Sequence, residues 1–359
     1  MPHIIAEAGS NHNGSVQRAK DLVDLAKRSG ADSVKFQFIF AEGLYLPAYF
    51  DGQSYVDNTV YQARKAEELA RSDWEAIWAH ARSIGMDISA SVFDTQGVEL
   101  LSDLGANYVK IASTDLTNHE LIRAACSAFR RVIISTGMAT LSEVDATYQF
   151  VRQNFPEVNL ELMHCVSSYP CSLRDANIQR IAMLSHAFDC PVGYSDHTEG
   201  VTSAAMALVK GAGFFEKHFT VDQTLPGFDH AHAMNEEELV NYITTLQEGA
   251  QGLKRPANQS ADSEKVTKIR ARRGVYAARD LPQGHILQKE DLLFVRPSTR
   301  YAPNDLSELI GTTTESPVSR YEAIEPARSA APGVSNWQSA QDYWHNEMQQ
   351  KGMKPRNDQ

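Results

Sequence analysis

Apolar and polar positions follow two alternating periods through the first two-thirds of this chain. Short β-rich runs at 3–7, 33–37, 87–91, 108–111, 132–135, 160–164, 192–195 and 214–217 are separated by stretches of helical spacing. One such stretch is 15–29, where Val16, Ala19, Leu22, Val23, Leu25 and Ala26 recur on one face; others are 72–83, 141–151, 202–210 and 235–253. Gly30, Gly85, Gly105 and Gly211 follow helical stretches at positions suited to a left-handed cap. Eight strand–helix repeats predict a parallel sheet with helical crossovers, and eight strands suffice to close a (β/α)8 TIM barrel. An open doubly wound sheet is the alternative, but no Gly-x-Gly-x-x-Gly follows the first strand.

The barrel is expected over 1–253, a polar linker over 254–271, a small mostly-β domain over 272–329, and a tail over 330–359. Segment 38–71 is too long for a simple βα loop; rich in Tyr, Asp and Gln, it is expected to be ordered and to lie over the active face. The formal charge of −11, from 34 basic and 45 acidic residues, argues against a nucleic-acid or membrane partner. The N-terminus has no basic stretch followed by a long apolar run, so a cytoplasmic protein is expected. Cys126, Cys165, Cys171 and Cys190 lack zinc-type spacing and read as reduced thiols.

Nearly every predicted strand ends in polar residues: Glu7, Lys35 with Gln37, Ser91 with Asp94, Lys110 with Ser113, Ser135, His164, Ser195-Asp196-His197 and Glu216-Lys217-His218. In TIM barrels, strand C-termini are where reacting groups gather. Lys35 and Lys110, with hydroxyls from Ser91, Ser113, Ser135 and Ser195, suit a small anion carrying several charges. A salt bridge from Lys35 to Glu7 is the structural alternative, and a Schiff-base lysine the chemical one. His197 and His218 end adjacent strands, where two neutral imidazoles can share one divalent ion, with Asp196 and Glu216 as acceptors orienting the rings. Purely structural histidines are the competing reading. In the loop after strand eight, Asp229 is a candidate contact for a polar substrate, and His230 and His232 are possible further ligands.

With these residues in place, the chain resembles the sialic-acid-type nonulosonate synthases, whose type member is N-acetylneuraminate synthase. The likeness runs through Ile5-Ala6-Glu7-Ala8-Gly9, Val34-Lys35-Phe36-Gln37, Val109-Lys110-Ile111-Ala112-Ser113, Ser135-Thr136-Gly137-Met138, His164-Cys165-Val166-Ser167-Ser168-Tyr169-Pro170, Tyr194-Ser195-Asp196-His197, Glu216-Lys217-His218 and Pro226-Gly227-Phe228-Asp229-His230. The C-terminal domain resembles the family's antifreeze-like (SAF) domain, through Arg272-Arg273 and Val295-Arg296-Pro297. The resemblance implies that C3 of phosphoenolpyruvate attacks the aldehyde of an open-chain N-acylated amino-hexose. Water adds to C2, phosphate leaves, and a nine-carbon 2-keto acid remains. It further implies a divalent metal on His197 and His218, manganese in the first instance with magnesium as the alternative. Lys35, Lys110, Ser91, Ser113, Ser135, Ser167 and Ser195 would hold phosphoenolpyruvate, and Glu7 would manage protons. Gln37, Asp115, Tyr169 and Asp229 would touch the sugar, and Arg296 would arrive from the partner of a domain-swapped homodimer.

Four departures fall on or near the sugar side. The family's Ser-Thr-Pro-Phe-Asp is Ala90-Ser91-Val92-Phe93-Asp94, a family glutamate is Asp115, an aromatic near the domain entrance is replaced around Arg270, and the 38–71 loop offers Asn58 or Gln62 without clean alignment. Lys35-Phe36-Gln37 and Asp229-His230 are closer to the neuraminic and legionaminic branches than to the pseudaminic one. A Schiff-base pyruvate aldolase and a pseudaminate-type synthase are the competing functions.

Overall fold

The computed structural model describes residues 1–256 and 258–325, so the expected 330–359 tail lies outside the described residues. Eight parallel strands close into a barrel: β1 (His3–Gly9), β2 (Ser33–Phe38), β3 (Asp87–Val92), β4 (Val109–Ile111), β5 (Arg131–Ser135), β6 (Asn159–Cys165), β7 (Val192–Asp196) and β8 (Phe214–His218). Neighbours follow chain order and β8 pairs with β1, setting Glu7 opposite His218. Closure removes the open-sheet alternative.

The helices form where the pattern predicts. Helix α1 (Val16–Ser29) opens with Ser15 Oγ accepting from the Arg18 amide and closes at Gly30, whose φ of 85° a side chain would strain. It buries Ala19, Leu22, Val23 and Ala26 on one side. These join outward-facing strand residues such as Ile4, Ala6, Val34, Phe36, Val109, Val132 and Phe215 in the layer between sheet and helices. Each large apolar side chain buried there contributes about 1.5–3 kcal/mol.

Inside the barrel a second, smaller apolar cluster of Ile5, Tyr108, Ile133, Met163 and Phe214 forms a plug. Because strand side chains alternate, the residues two positions further on also face inward. From Ile5, Tyr108, Ile133, Met163 and Phe214 these are Glu7, Lys110, Ser135, Cys165 and Glu216. The polar layer therefore rests directly on the apolar one.

The 38–71 segment is ordered, as two helices (Ala41–Leu44 and Thr59–Glu67) flanking a hairpin of Ala48–Phe50 with Tyr55–Asp57. Among the described residues no helix is long and apolar enough to cross a membrane. The first compact unit is Met1–Lys254, and a second begins at Arg255. The stretch expected as linker contains a helix, Glu264–Ala271. Beyond it, β9 (Gly274–Ala277) pairs antiparallel with β10 (Leu292–Val295) over a core including Val275, Leu281, Leu287, Leu292, Leu309 and Ile324. Arg279, His285 and the Gln288 amide all bind the buried Asp291 carboxylate.

Candidate active site

The eight polar strand ends do not all converge. Period-two alternation sends His164, Asp196 and Lys217 outward. Nε2 of His164 lies 2.8 Å from the Ala176 carbonyl oxygen. Asp196 accepts from Tyr194, Thr198 and Ser203 and pairs with Lys217 at 3.4 Å. Asp196 therefore does not orient the His197 ring.

Glu7, Lys35, Ser91, Lys110, Ser195 and Glu216 do meet, in one buried network. Lys35 Nζ lies 2.5 Å from Glu7 Oε2 and 3.4 Å from Glu216 Oε2, and donates to Ser91 Oγ at 2.8 Å. Lys110 Nζ lies 2.5 Å from Glu216 Oε1, which also accepts from Ser195 Oγ at 2.8 Å. Gln37 donates to Glu7 Oε1 at 3.1 Å. Glu216 is thus the carboxylate that bridges both lysines, a role the sequence did not suggest; it is not an acceptor for a histidine ring.

The two carboxyls are driven apart. Burial pushes Glu7 up; Lys35 pulls against this, and the charge on Glu216 adds to it. Burial acts on Glu216 too, but Lys110 and Lys35 outweigh it and hold Glu216 well below the usual carboxylate range. Lys35 is shielded from water as well, yet Glu216 and Glu7 hold its ammonium above the ordinary value. A pair of like groups tuned in opposite directions marks one as the proton carrier and the other as the fixed charge. Here the raised group is Glu7 and the lowered one Glu216.

Beside this network lies a wall of hydroxyls. Ser113 Oγ accepts from the Gly137 amide at 3.0 Å and lies 2.9 Å from Cys165 Sγ, while the buried Ser135 hydroxyl has no partner. A Cβ on residue 137 would fall 2.6 Å from Ser167 Oγ and 2.7 Å from both Ser113 Oγ and Cys165 Sγ. Gly137 is therefore needed for close approach. Gly137→Ala is expected to lower stability by about 1–3 kcal/mol through overpacking, read by chemical denaturation; an unchanged midpoint would contradict this.

Above the network stand the two imidazoles, with ring centres 5.8 Å apart. His197 Nδ1 donates to the Val166 carbonyl at 2.7 Å, which fixes the tautomer and leaves Nε2 as an acceptor, 3.2 Å from a Ser195 Oγ that itself donates to Glu216. Burial, reinforced by His218, pushes His197 down to about 3, so the ring is neutral. His218 Nδ1 is buried without a hydrogen-bond partner, 3.9 Å from Asp229 Oδ2. Tyr169 packs its ring 4.1 Å from His197. Two available nitrogens at a buried mouth fit a metal with two protein ligands; no group of three or more His, Cys, Asp or Glu suited to a metal occurs among the described residues. His230 is instead buried against Thr220 and Asn13, and His232 is exposed.

Other sequence candidates sit apart from this network. The Asp115 carboxylate makes local bonds to Thr114 and Asn118. Asn58 caps the Thr59–Glu67 helix and donates to the Leu46 carbonyl, and Gln62 is exposed. Arg296 belongs to the second unit, exposed just after β10.

The NeuB family model matches residues 22–256, and the SAF domain model residues 272–328. The chain belongs to the NeuB family. Among relatives of this NeuB-family chain, the N,N'-diacetyllegionaminic acid synthase of Legionella pneumophila is 38% identical over 317 residues, 86% of this chain and 89% of the relative. Human N-acetylneuraminate-9-phosphate synthase is 29% identical, over 86% of this chain and 87% of its own. A solved structure, the N-acetylneuraminic acid synthetase of Leptospira borgpetersenii in complex with citrate, superposes with a TM-score of 0.67 at 30% identity, covering 74% of this chain and 89% of that one. The relatives are thus nonulosonate synthases, and the architecture is a TIM barrel followed by a SAF domain.

Proposed function

We propose that this chain condenses phosphoenolpyruvate with an open-chain N-acylated amino-hexose, releasing phosphate and forming a nine-carbon 2-keto acid. The observation carrying this reading is the stack of a Lys35–Glu7–Glu216–Lys110 network beneath two imidazoles. Lys35 and Lys110 converge on the Glu216 carboxylate, and burial works against a charge on Glu7, so an incoming anion would meet two cations beside the hydroxyls. Ser113, Ser135 and Ser167 supply hydroxyls, while Gln37, Asp115, Tyr169 and Asp229 are assigned to the sugar side. The bond formed joins C3 of the enol to the aldehyde carbon; a water oxygen adds to C2, and phosphate then leaves C2 with the bonding pair as the C2 hydroxyl gives up its proton to it. Glu7 is placed to give its proton to the oxygen that gains charge and to recover one from the water. A divalent ion on His197 Nε2 and His218, manganese or magnesium, would supply polarisation of the aldehyde.

The network also disfavours the aldolase alternative. A Schiff base needs a free amine, whereas Lys35 is held protonated and Lys110 Nζ is committed to Glu216. The exposed Arg296 of the SAF domain is assigned to the sugar site of a partner barrel in a homodimer, and the reaction to the cytoplasm.

The test is phosphate release from phosphoenolpyruvate with N-acetylmannosamine, its 6-phosphate, and 2,4-diacetamido-trideoxy hexoses. Release is expected only when a sugar is present. Sugar-independent release, or none with any acceptor, would overturn the proposal.

A further inference from the structure

The long segment after β2 delivers one residue that neither the mechanism nor the sequence motifs use. Arg64, on the Thr59–Glu67 helix, is only 8% exposed, which is unusual for a guanidinium unless it is bound on several sides. Its Nη1 donates to Ser10 Oγ at 2.8 Å and lies 3.4 Å from Glu67 Oε2. Its Cζ lies 3.6 Å above the ring of Phe228, which remains 45% exposed. Nε is buried and has no hydrogen-bond partner. A buried donor left without a partner implies a polar group still to come.

The place it occupies is specific. Arg64, Ser10, His12, Gln37, Glu67 and Trp74 line a small open cleft. Gln37 connects that cleft to Glu7 through its hydrogen bond, and Phe228 precedes Asp229, which approaches His218. The cleft therefore opens beside the reacting groups, on the side where the acceptor must lie. The segment presents Arg64 there, where the sequence had suggested Asn58 or Gln62.

We propose that Arg64 is a specificity-determining residue that binds a neutral oxygen of the acceptor, the carbonyl of its N-acyl group. This rests on the synthase reading of the same site. A neutral group is favoured because Glu67 already faces the guanidinium, so an added phosphate or carboxylate would meet its charge. The planar fork of arginine, held against Phe228, presents donors in a fixed direction, which lysine does not reproduce.

Calorimetric binding of N-acetylmannosamine to the full chain tests this apart from turnover, alongside steady-state kinetics and a thermal melt for each variant. Arg64→Met is expected to weaken sugar binding and raise the sugar KM about tenfold or more, the loss of about one charged hydrogen bond. The KM for phosphoenolpyruvate should stay within about twofold, as should kcat. Arg64→Lys, which keeps the charge and most of the packing, should show the same selective loss. Unchanged sugar binding in folded Arg64→Met or Arg64→Lys overturns the proposal, as does an equal loss for both substrates. Tighter binding of the sugar 6-phosphate that disappears in Arg64→Met would assign the residue to a phosphate and overturn the neutral assignment. Sugar binding that depends on Arg64 without any phosphate release would instead sink the synthase reading alone.

Discussion

Glu216→Gln is expected to lower kcat/KM for phosphate release by about 10²–10³-fold and to destabilise the barrel by about 3–5 kcal/mol. The substitution keeps the shape but removes the charge that holds two lysines at once. Lys110 would lose the carboxylate at 2.5 Å and Lys35 the one at 3.4 Å, leaving Lys35 with Glu7 alone. Because the folded protein holds Glu216 below its ordinary value of 4.5, its contribution is fully present above that value. The contribution fades as pH falls through the lower, folded value. The stability gap between wild type and variant should therefore close as pH falls into acid. Glu7 acts with the opposite sign, since its raised value makes ionisation costly as pH rises, and loss of the Glu216 charge relieves part of that cost in the variant. Denaturant titrations from acid to neutral pH read the gap. A double variant, Lys110→Met with Glu216→Gln, should recover part of the stability and none of the activity. A Glu216→Gln protein as stable and active as wild type would show that the network is not the anion site.

His218→Ala is expected to reduce kcat/KM by at least about 10²-fold while leaving the melting temperature within a few degrees, and excess chelator should silence the wild type to a similar level. The asymmetry follows from position. His218 stands at the barrel mouth with its Nδ1 unpartnered, so truncation removes no internal hydrogen bond from that nitrogen. Manganese or magnesium should restore the chelated wild type and leave His218→Ala unrestored. Full activity in excess chelator would refute the metal assignment and leave the imidazoles as neutral walls of the site. His197→Ala should lose activity comparably but cost more stability, because the His197–Val166 hydrogen bond goes with it.

Much of the barrel was legible before any coordinates. Apolar period and glycine stops placed the eight strands, because a strand buried between plug and helices has to be apolar over its length. The polar strand ends were legible too, but their facing was not. His164, Asp196 and Lys217 stand in sequence among the residues of the inward-facing network, and only the alternation fixed by strand register turns them to the helix side. Glu216 was placed near the histidines because it precedes His218 by two residues. The barrel's curvature brings it instead to Lys35 and Lys110, on the second and fourth strands.

The sequence alone determined the repeat, the chemistry of the strand ends and the family resemblance, since these depend on local period and residue type. Tertiary structure alone decided which ionisable groups lie in contact, which lysine meets which carboxylate, and that Arg64 lines the cleft beside Gln37 while Asn58 caps its own helix. Those outcomes depend on distances of a few ångströms between residues up to 181 positions apart, such as Lys35 and Glu216. In a water-poor interior such distances set the protonation states.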